Sequence, residues 1–485
     1  MRGENISIIE VRGVGDKMRK VITYGTFDLF HDGHYNLLKR ARNLGDYLIV
    51  GVTTEQYDEY RGKENVVDSL MERIEHIKQT GFADKIIVED HVGQKIEDIQ
   101  KYNIDVFTCG SDWVGAFDYM KKLCEVVYIE RTKDVSSTLL RERNYEIVKI
   151  GIAGSGRIAG RFVPEARGVS GLNIEAVYNP HLDSAVKFGE VYDLGVCTDD
   201  WDFFLDKVTA VYIATPHNSH YGYIKSALNS GKHVLCEKPM VLEREQSAEL
   251  FELAGKNNLV LAEAIKTAYS PGFAKLLGVA KIGSIGRIYD VEACFTKLTH
   301  GEKRELSADE NGGSFTELAS YPLLAVIKLL GEDYESLRFE SFKDSSGVDI
   351  YTKAYFKYKD SVATVKVGLG VKSEGQLIIS GTQGYIVVDA PWWKTQSFET
   401  RYENASRNEK FFVKYRGDGL RYEVSEFVSV INNKEKRRIS KLTAEESTAI
   451  ADIMEKFLCF TNDKNEESVC YNSRLQRRAV FEAVP

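Results

Sequence analysis

Apolar and polar positions follow two different rhythms along this chain. From residue 20, the β-branched run KVITYGTF is followed by Leu37, Leu38, Ala41 and Leu44, spaced as one face of a helix. DYLIVGVTT then predicts a second strand, Leu70, Ile74 and Ile77 a further helical stripe, and KIIVE, IDVFTCG and EVVYIE three more strands. Strands separated by helices predict a parallel sheet covered on both faces. A second series of this kind opens at Val148, with strands VKIGIA, IEAVY, AVYIA, HVLC and LVLAEA and helices around 218–230 and 243–257. After residue 283 the rhythm changes to IGRIYDVEACFTKL, IYTKAYFKYK, SVATVKVGLG, GQLIIS and GYIVVDA joined by short turns. That pattern predicts a mainly antiparallel sheet, accompanied by helices at 314–330, 418–431 and 443–459.

The predicted class is therefore α/β, with a tail at 1–18, a Rossmann-like domain at 19–143, a second Rossmann domain at 148–270, and an α+β domain on a mainly antiparallel sheet at 271–485. The polar piece RERNYE, residues 141–146, is the expected linker. A length of 485 residues suits two or three domains, and 43% hydrophobic residues give ample core. A net charge of −8 argues against a nucleic-acid footprint, although a local basic patch could hold a small phosphate ligand. The seven cysteines have no short metal-type spacing and read as reduced thiols, mostly in the core. No stretch is apolar enough to span a bilayer, and the first 20 residues lack a signal-peptide pattern, so a cytoplasmic protein without a membrane partner is expected.

Two glycine-rich turns carry the candidate chemistry. The first, GTFDLFHDGH, runs from Gly25 to His34. Gly25 ends a strand, where open α/β sheets bind ligands, and Gly33 stands at the entrance of a helix whose free N–H groups favour phosphate. His31 and His34 in that turn can hold a triphosphate and stabilise charge growing on it. Either histidine alone could equally pack or cap. A zinc site would need a third ligand at suitable spacing, and none is evident; no metal ligands are expected.

The pattern G-T-F-D-x-x-H-x-G-H resembles the signature of the cytidylyltransferase branch of the nucleotidyltransferases. The resemblance continues through NIDVFTCGSDWVGAFDYMKKLCEVVYIERTKDVSSTLLRE, similar to the second half of the glycerol-3-phosphate cytidylyltransferases, and covers roughly residues 20–142. GSDW stands for the family's G-D-D-W, and RTKDVSST for R-T-x-G-I-S-T, with Asp134 replacing its glycine. The resemblance implies attack of a substrate phosphate oxygen on the α-phosphorus of CTP, with Mg2+ accompanying the nucleotide. It places His31, His34, Lys63 and Arg131 among the catalytic residues. Gly25, Thr26, Phe27, Asp112, Trp113, Ser136, Ser137 and Thr138 would line the CTP site. Arg61 and Lys63 share a loop that could reach the acceptor or the α-phosphate, or simply be a solvated pair.

The second turn, GIAGSGRIAG, fits G-x-G-x-x-A through Gly154, Gly156 and Ala159, which allows a tight turn and close approach of a pyrophosphate. VYIATPHNSHYGYIKSALNSGKHVLCEKP resembles the Gfo/Idh/MocA oxidoreductases, whose hallmark is E-K-P after a strand. LAEAIKTAYSP, NGGSFTELASYPLLAVIKLLG and GDGLRYEVSEFVSVI extend the resemblance over about 148–460. It implies an NAD(P) cofactor held by Gly154, Gly156, Arg157, Ile158, Asn179, Thr215, Pro216, His220, Glu237, Lys238 and Pro239. Lys238 would bond the reacting oxygen, and Tyr321 could donate a proton if a lysine lowers its pKa; either could be the acid. Glu317 and Lys266 are the substrate-side candidates, Lys266 for a phosphate. Asn179 offers neither a carboxylate for NAD nor an adjacent arginine for NADP, so the two stay open.

Together the two resemblances predict a homo-oligomeric bifunctional enzyme that makes a CDP-polyol for surface polysaccharide from CTP and a small phosphorylated polyol or sugar. A dehydrogenase acting on the CDP-linked product, a phosphonate acceptor, or a scaffold with one inactive domain are the alternatives.

Overall fold

The computed structural model describes residues 18–28, 30, 32–60, 66, 68–130, 147–169, 171–301, 304–433, 439–462 and 470–471. These form two compact units, one within 1–64 and 72–141, the other within 65–71 and 142–485.

In the first unit the elements run β1 (Lys20–Gly25), α1 (Asp32–Arg42), β2 (Tyr47–Thr53), α2 (Glu55–Tyr60), α3 (Leu70–Gln79), β3 (Lys85–Glu89), α4 (Gln94–Tyr102), β4 (Val106–Gly110) and β5 (Glu125–Ile129). The five strands pair in parallel in the order β3-β2-β1-β4-β5. The connection reverses direction at β1, so the loop after β1 opens at the switch point where such sheets take ligands. Ile22, Tyr24, Ile49, Ile87, Ile99 and Phe107 form a core on one side of the sheet.

The second unit opens with β6 (Val148–Ala153), α5 (Arg157–Ala166), β7 (Leu172–Tyr178), α6 (Leu182–Tyr192), β8 (Val196–Thr198), α7 (Trp201–Lys207), β9 (Ala210–Ile213), α8 (His217–Asn229), β10 (His233–Glu237), α9 (Arg244–Lys256) and β11 (Leu261–Ala264). Their order, β11-β10-β9-β6-β7-β8, is that of a six-stranded Rossmann sheet. The three-residue β8 was not predicted, because so short a run carries no periodicity.

There follow α10 (Lys266–Tyr269), α11 (Pro271–Lys281), β12 (Ile288–Thr296), α12 (Ser314–Leu318), α13 (Ser320–Leu330), β13 (Ser336–Lys343), β14 (Asp349–Lys357), β15 (Val362–Gly368), β16 (Leu377–Gly381), β17 (Tyr385–Val388), β18 (Ser397–Arg401), β19 (Glu409–Phe412), α14 (Leu420–Asn432), α15 (Ala444–Asn462) and β20 (Cys470–Tyr471). The nine strands form one sheet, β19-β18-β17-β16-β12-β15-β14-β13-β20. It is mixed: β12 runs parallel to β15, and the other pairs are antiparallel. The helix expected at 314–330 is two helices that break at Ala319. Pro322 in the first turn of α13 has no N–H and its ring would clash with the carbonyl of Leu318, so a continuous helix is excluded there.

Candidate active sites

In the first unit the chain leaves β1 at Gly25 and turns through Phe27, which adopts φ 54°, a left-handed conformation that a bulky residue keeps only when its surroundings impose it. Phe27 is buried, and its ring meets the His34 imidazole edge-on at 5.5 Å between centroids; Phe30 lies 5.6 Å from the same ring. His34 lies in the first turn of α1, so the aromatic contacts set the imidazole at the end of a helix whose free N–H groups attract anions.

Beneath this loop is a buried polar hub absent from the predicted site. The Arg73 guanidinium, fully buried on α3, donates to the carbonyls of Thr26 and Thr53, both at 2.8 Å. Asp58, equally buried on α2, accepts from the Thr26 hydroxyl at 2.8 Å and the Thr53 hydroxyl at 2.7 Å, and lies 3.7 Å from Arg73. The ends of β1 and β2 are thus held by one buried arginine–aspartate pair, and Thr26 acts through its backbone and hydroxyl in that frame. A signal was present in the sequence: Arg73 falls on the helical stripe of Leu70, Ile74 and Ile77, where a charge has to be buried.

Gly25 and Thr26 lie at the loop as expected. Trp113 is half-exposed in the short turn Ser111–Trp113 after β4, on the neighbouring strand of the same sheet; the side chain of Asp112 in that turn lies outside the described residues. His31, Arg61, Lys63, Arg131, Ser136, Ser137 and Thr138 also lie outside them. Among the described residues no group of three or more side chains could hold a metal ion.

In the second unit the Gly-rich turn fits a pyrophosphate. Gly154 has φ 99°, and a Cβ on it would stand 2.7 Å from the carbonyl oxygen of Ala214, so a side chain is excluded. Gly156 at the start of α5 has open space where its Cβ would be, which leaves room for a dinucleotide against the helix N-terminus. Asn179 ties the end of β7 to this turn: its amide donates to the Ser155 hydroxyl at 2.8 Å, and its oxygen accepts from the His181 backbone at 2.9 Å. Thr215 and Pro216 follow β9 across the switch point. His220 is fully buried, its nitrogens 3.0 Å from the Pro239 carbonyl and 2.9 Å from that of Thr215, and so fixes two loops of the site rather than lining it. The Arg157 guanidinium donates to Glu305 at 2.9 Å, and Asn218 to the Asp309 carbonyl at 3.2 Å. The segment between β12 and α12 is thereby tied to the N-terminal ends of α5 and α8.

Lys238 leaves the end of β10 and reaches α12, donating to the Glu317 carbonyl at 2.9 Å with the Glu317 carboxylate at 3.9 Å. The same carboxylate is 3.1 Å from the Arg304 guanidinium and 3.9 Å from His217, two groups that the sequence reading missed. Burial, with Lys238 beside it, lowers the His217 pKa and keeps that ring neutral. Glu237 accepts from the Tyr212 hydroxyl at 2.6 Å and is raised above the ordinary carboxyl range by burial. Tyr321 packs against Phe295. Burial first, then the fields of Glu237 and Glu423, push its phenol well above its ordinary pKa. The shift is opposite to the expected lowering by a lysine, and Tyr321 holds its proton at neutral pH. Lys266 is half-buried at the start of α10.

The comparisons agree with this geometry. The cytidylyltransferase-like family matches residues 22–143. The NAD-binding Rossmann domain of the oxidoreductase family matches 148–264, and the GFO/IDH/MocA C-terminal domain matches 273–387. A glycerol-3-phosphate cytidylyltransferase of Staphylococcus aureus is 42% identical over 128 residues, 26% of this chain and 96% of that protein. An NADP-dependent scyllo-inositol 2-dehydrogenase of Bacillus subtilis is 28% identical over 323 residues, 64% of this chain and 96% of that protein. Among solved structures, a 3-ketoreductase from Actinomadura kijaniata in complex with NADP shares the fold with a TM-score of 0.58 at 22% identity, over 64% of this chain and 96% of that one. The first unit therefore belongs to the cytidylyltransferase family, and residues 148–264 and 273–387 match the domains of the Gfo/Idh/MocA oxidoreductases, so the chain is a fusion of two enzymes.

Proposed function

We propose that the first unit transfers the cytidylyl group of CTP to a polyol or sugar phosphate and that the second interconverts that polyol phosphate with its keto-sugar phosphate, so that one cytoplasmic, homo-oligomeric chain makes a CDP-polyol for a surface polysaccharide. The observation that carries this reading is the presence of both sites on one chain: a shared metabolite is the economical reason to fuse them. The similarity to a glycerol-3-phosphate cytidylyltransferase and to a polyol dehydrogenase supports each half. We assign the join between the two to residues 141–146.

In the first site an acceptor phosphate oxygen bonds to the α-phosphorus as the bond to pyrophosphate breaks. No covalent enzyme intermediate is needed, so positioning and charge stabilisation dominate. His34, with His31, would hold the triphosphate against α1, while the Arg73–Asp58 hub keeps the loop after β1 in place. Arg131, Ser136, Ser137 and Thr138 are assigned to the phosphates, Asp112 and Trp113 to the nucleoside, and Arg61 and Lys63 to the acceptor. Mg2+ would arrive on the nucleotide's phosphates.

In the second site Gly154, Gly156 and the start of α5 would hold NAD(P), which supplies or accepts hydride when bound. Lys238, fixed by Glu317, places an ammonium where negative charge develops on a carbonyl oxygen, and it or Tyr321 delivers the proton. Pyrophosphate release from CTP across a panel of polyol phosphates, run beside NAD(P)H oxidation with the matching keto-sugar phosphates, tests the reading. Inactivity of the whole panel in both assays would refute it.

A further inference from the structure

The segment Arg304–Gly313, between β12 and α12, serves no step above, yet it is a compact piece. It holds two short 3-10 turns, Arg304–Leu306 and Ala308–Glu310. Its ends are drawn together: the Gly312 and Gly313 N–H groups donate to the carbonyls of Ser307 at 2.8 Å and Glu305 at 2.9 Å. A Cβ on Gly312 would stand 2.7 Å from the Arg304 carbonyl oxygen, so this closure requires glycine there. A loop bonded to itself in this way can move as one body.

Its outward contacts fall on both banks of one crevice. On one bank Arg157, the first residue of α5, donates to Glu305 at 2.9 Å. On the other, Asn218, the second residue of α8, donates to the Asp309 carbonyl at 3.2 Å and accepts from the Asn311 amide. These helices follow β6 and β9, the adjacent strands at which the sheet order reverses. Outside the ends of two such strands a Rossmann sheet takes its dinucleotide. A third contact, from Arg304 to the Glu317 carboxylate at 3.1 Å, brings the segment to the residue that holds Lys238.

We propose that Arg304–Gly313 is a strap across the NAD(P) crevice, latched at Glu305 and Asn218, that has to lift for the cofactor to enter or leave. A dinucleotide extended from Gly156 towards Lys238 passes beneath it, because the strap is anchored on both sides of that path. The latches suit such a task. The Arg157 side chain is 67% exposed and Asn218 is exposed, and ion pairs and hydrogen bonds in water are individually weak enough to open. They also join chain to chain, so the free and the loaded protein share them. Loosening a latch therefore raises the open fraction of both states alike: entry and exit quicken by one factor while affinity stays. The inference rests on the assignment of this crevice to NAD(P) and adds what controls traffic through it.

The test is stopped-flow fluorescence of NADPH and, in parallel, NADH with the full-length protein: mixing gives the entry rate, and a chase with excess oxidised cofactor gives the exit rate. Glu305→Gln, Asn218→Ala and the double variant each remove a latch without touching a residue assigned to the cofactor, and a thermal unfolding midpoint checks that the fold is kept. We expect each single variant to raise both rates by about threefold to tenfold and the double variant to raise them further, with Kd held within about twofold. Rates unchanged in the double variant would overturn the strap. Faster exit with unchanged entry would overturn it too, since these groups would then hold the cofactor rather than gate it. If neither cofactor binds the unaltered protein, the assignment of the crevice falls, and the strap with it.

Discussion

The two active sites are built in opposite ways. In the first unit the central signature is contiguous, Gly25 to His34, on one strand end and one helix start. In the second they come from separate elements: Gly154 and Gly156 after β6, Lys238 after β10, Glu317 and Tyr321 on α12 and α13, and Lys266 on α10. The contiguous site still depends on distant residues, because Arg73 and Asp58 hold the loop from below. The dispersed site contains a local element, the Gly-rich turn. The difference teaches that contiguity sets how readily a site is read, whereas burial sets how firmly it is held.

Substitutions at four positions can break or sharpen that comparison. The largest effect is expected from Arg73→Met, which leaves Asp58 and two carbonyls buried without their partner. It should destabilise the first unit by about 3–5 kcal/mol in chemical denaturation and abolish CTP binding at temperatures that leave NADPH binding intact. If CTP binding persists at full strength, the hub does not hold the loop.

His34→Ala should lower cytidylyl transfer by about 10²–10³-fold, the scale of one lost charge-stabilising donor, while CTP affinity falls less. Unchanged turnover in a pyrophosphate-release assay would remove His34 from the chemistry.

Lys238→Ala should cost about 10²-fold in NAD(P)H oxidation and leave cofactor affinity nearly intact if the ammonium acts on the reacting oxygen as proposed. Lys238→Arg should rescue little, since a guanidinium keeps the charge but is a poor proton donor of different shape. Pyrophosphate release from a supplied polyol phosphate should not change, and its loss would mean that the sites are coupled.

The smallest effect concerns Glu263, whose carboxyl accepts from the Met240 backbone at 3.0 Å and is pushed by burial from its ordinary 4.5 to about 7. The folded protein then binds this proton more tightly than the unfolded chain. The stability it contributes is full below pH 4.5 and is lost as pH rises through about 7. Glu263→Gln should flatten that part of the stability–pH curve by about 1–3 kcal/mol in chemical denaturation. Parallel curves for the two proteins would show that Glu263 titrates normally.

Much of the fold was legible because long parallel-sheet strands such as VKIGIA and KVITYG are near-continuous apolar runs flanked by helical stripes. The short β8 and the break at Ala319 were not, since one has too few residues for a period and the other depends on a single proline inside a stripe. The contiguous histidine signature and the Gly-rich turn were legible for the same local reason. Arg304 and His217 were not: each is one polar residue far in sequence from Lys238, and only the packed chain brings them to Glu317. Tyr321 shows the limit from another side. Its position was visible, but the direction of its pKa depended first on burial and then on carboxyl neighbours, neither of which the sequence places.

The central claim is that two chemistries on one chain share a metabolite. The most direct measurement supplies NADPH, CTP and, one at a time, keto-sugar phosphates of three to six carbons to the intact protein, and follows NADPH absorbance and pyrophosphate together. The account predicts that one of them gives equal molar amounts of NADPH oxidised and pyrophosphate released, with the release dependent on NADPH. Pyrophosphate released at the same rate without NADPH, or NADPH oxidised with no pyrophosphate to follow, would contradict it.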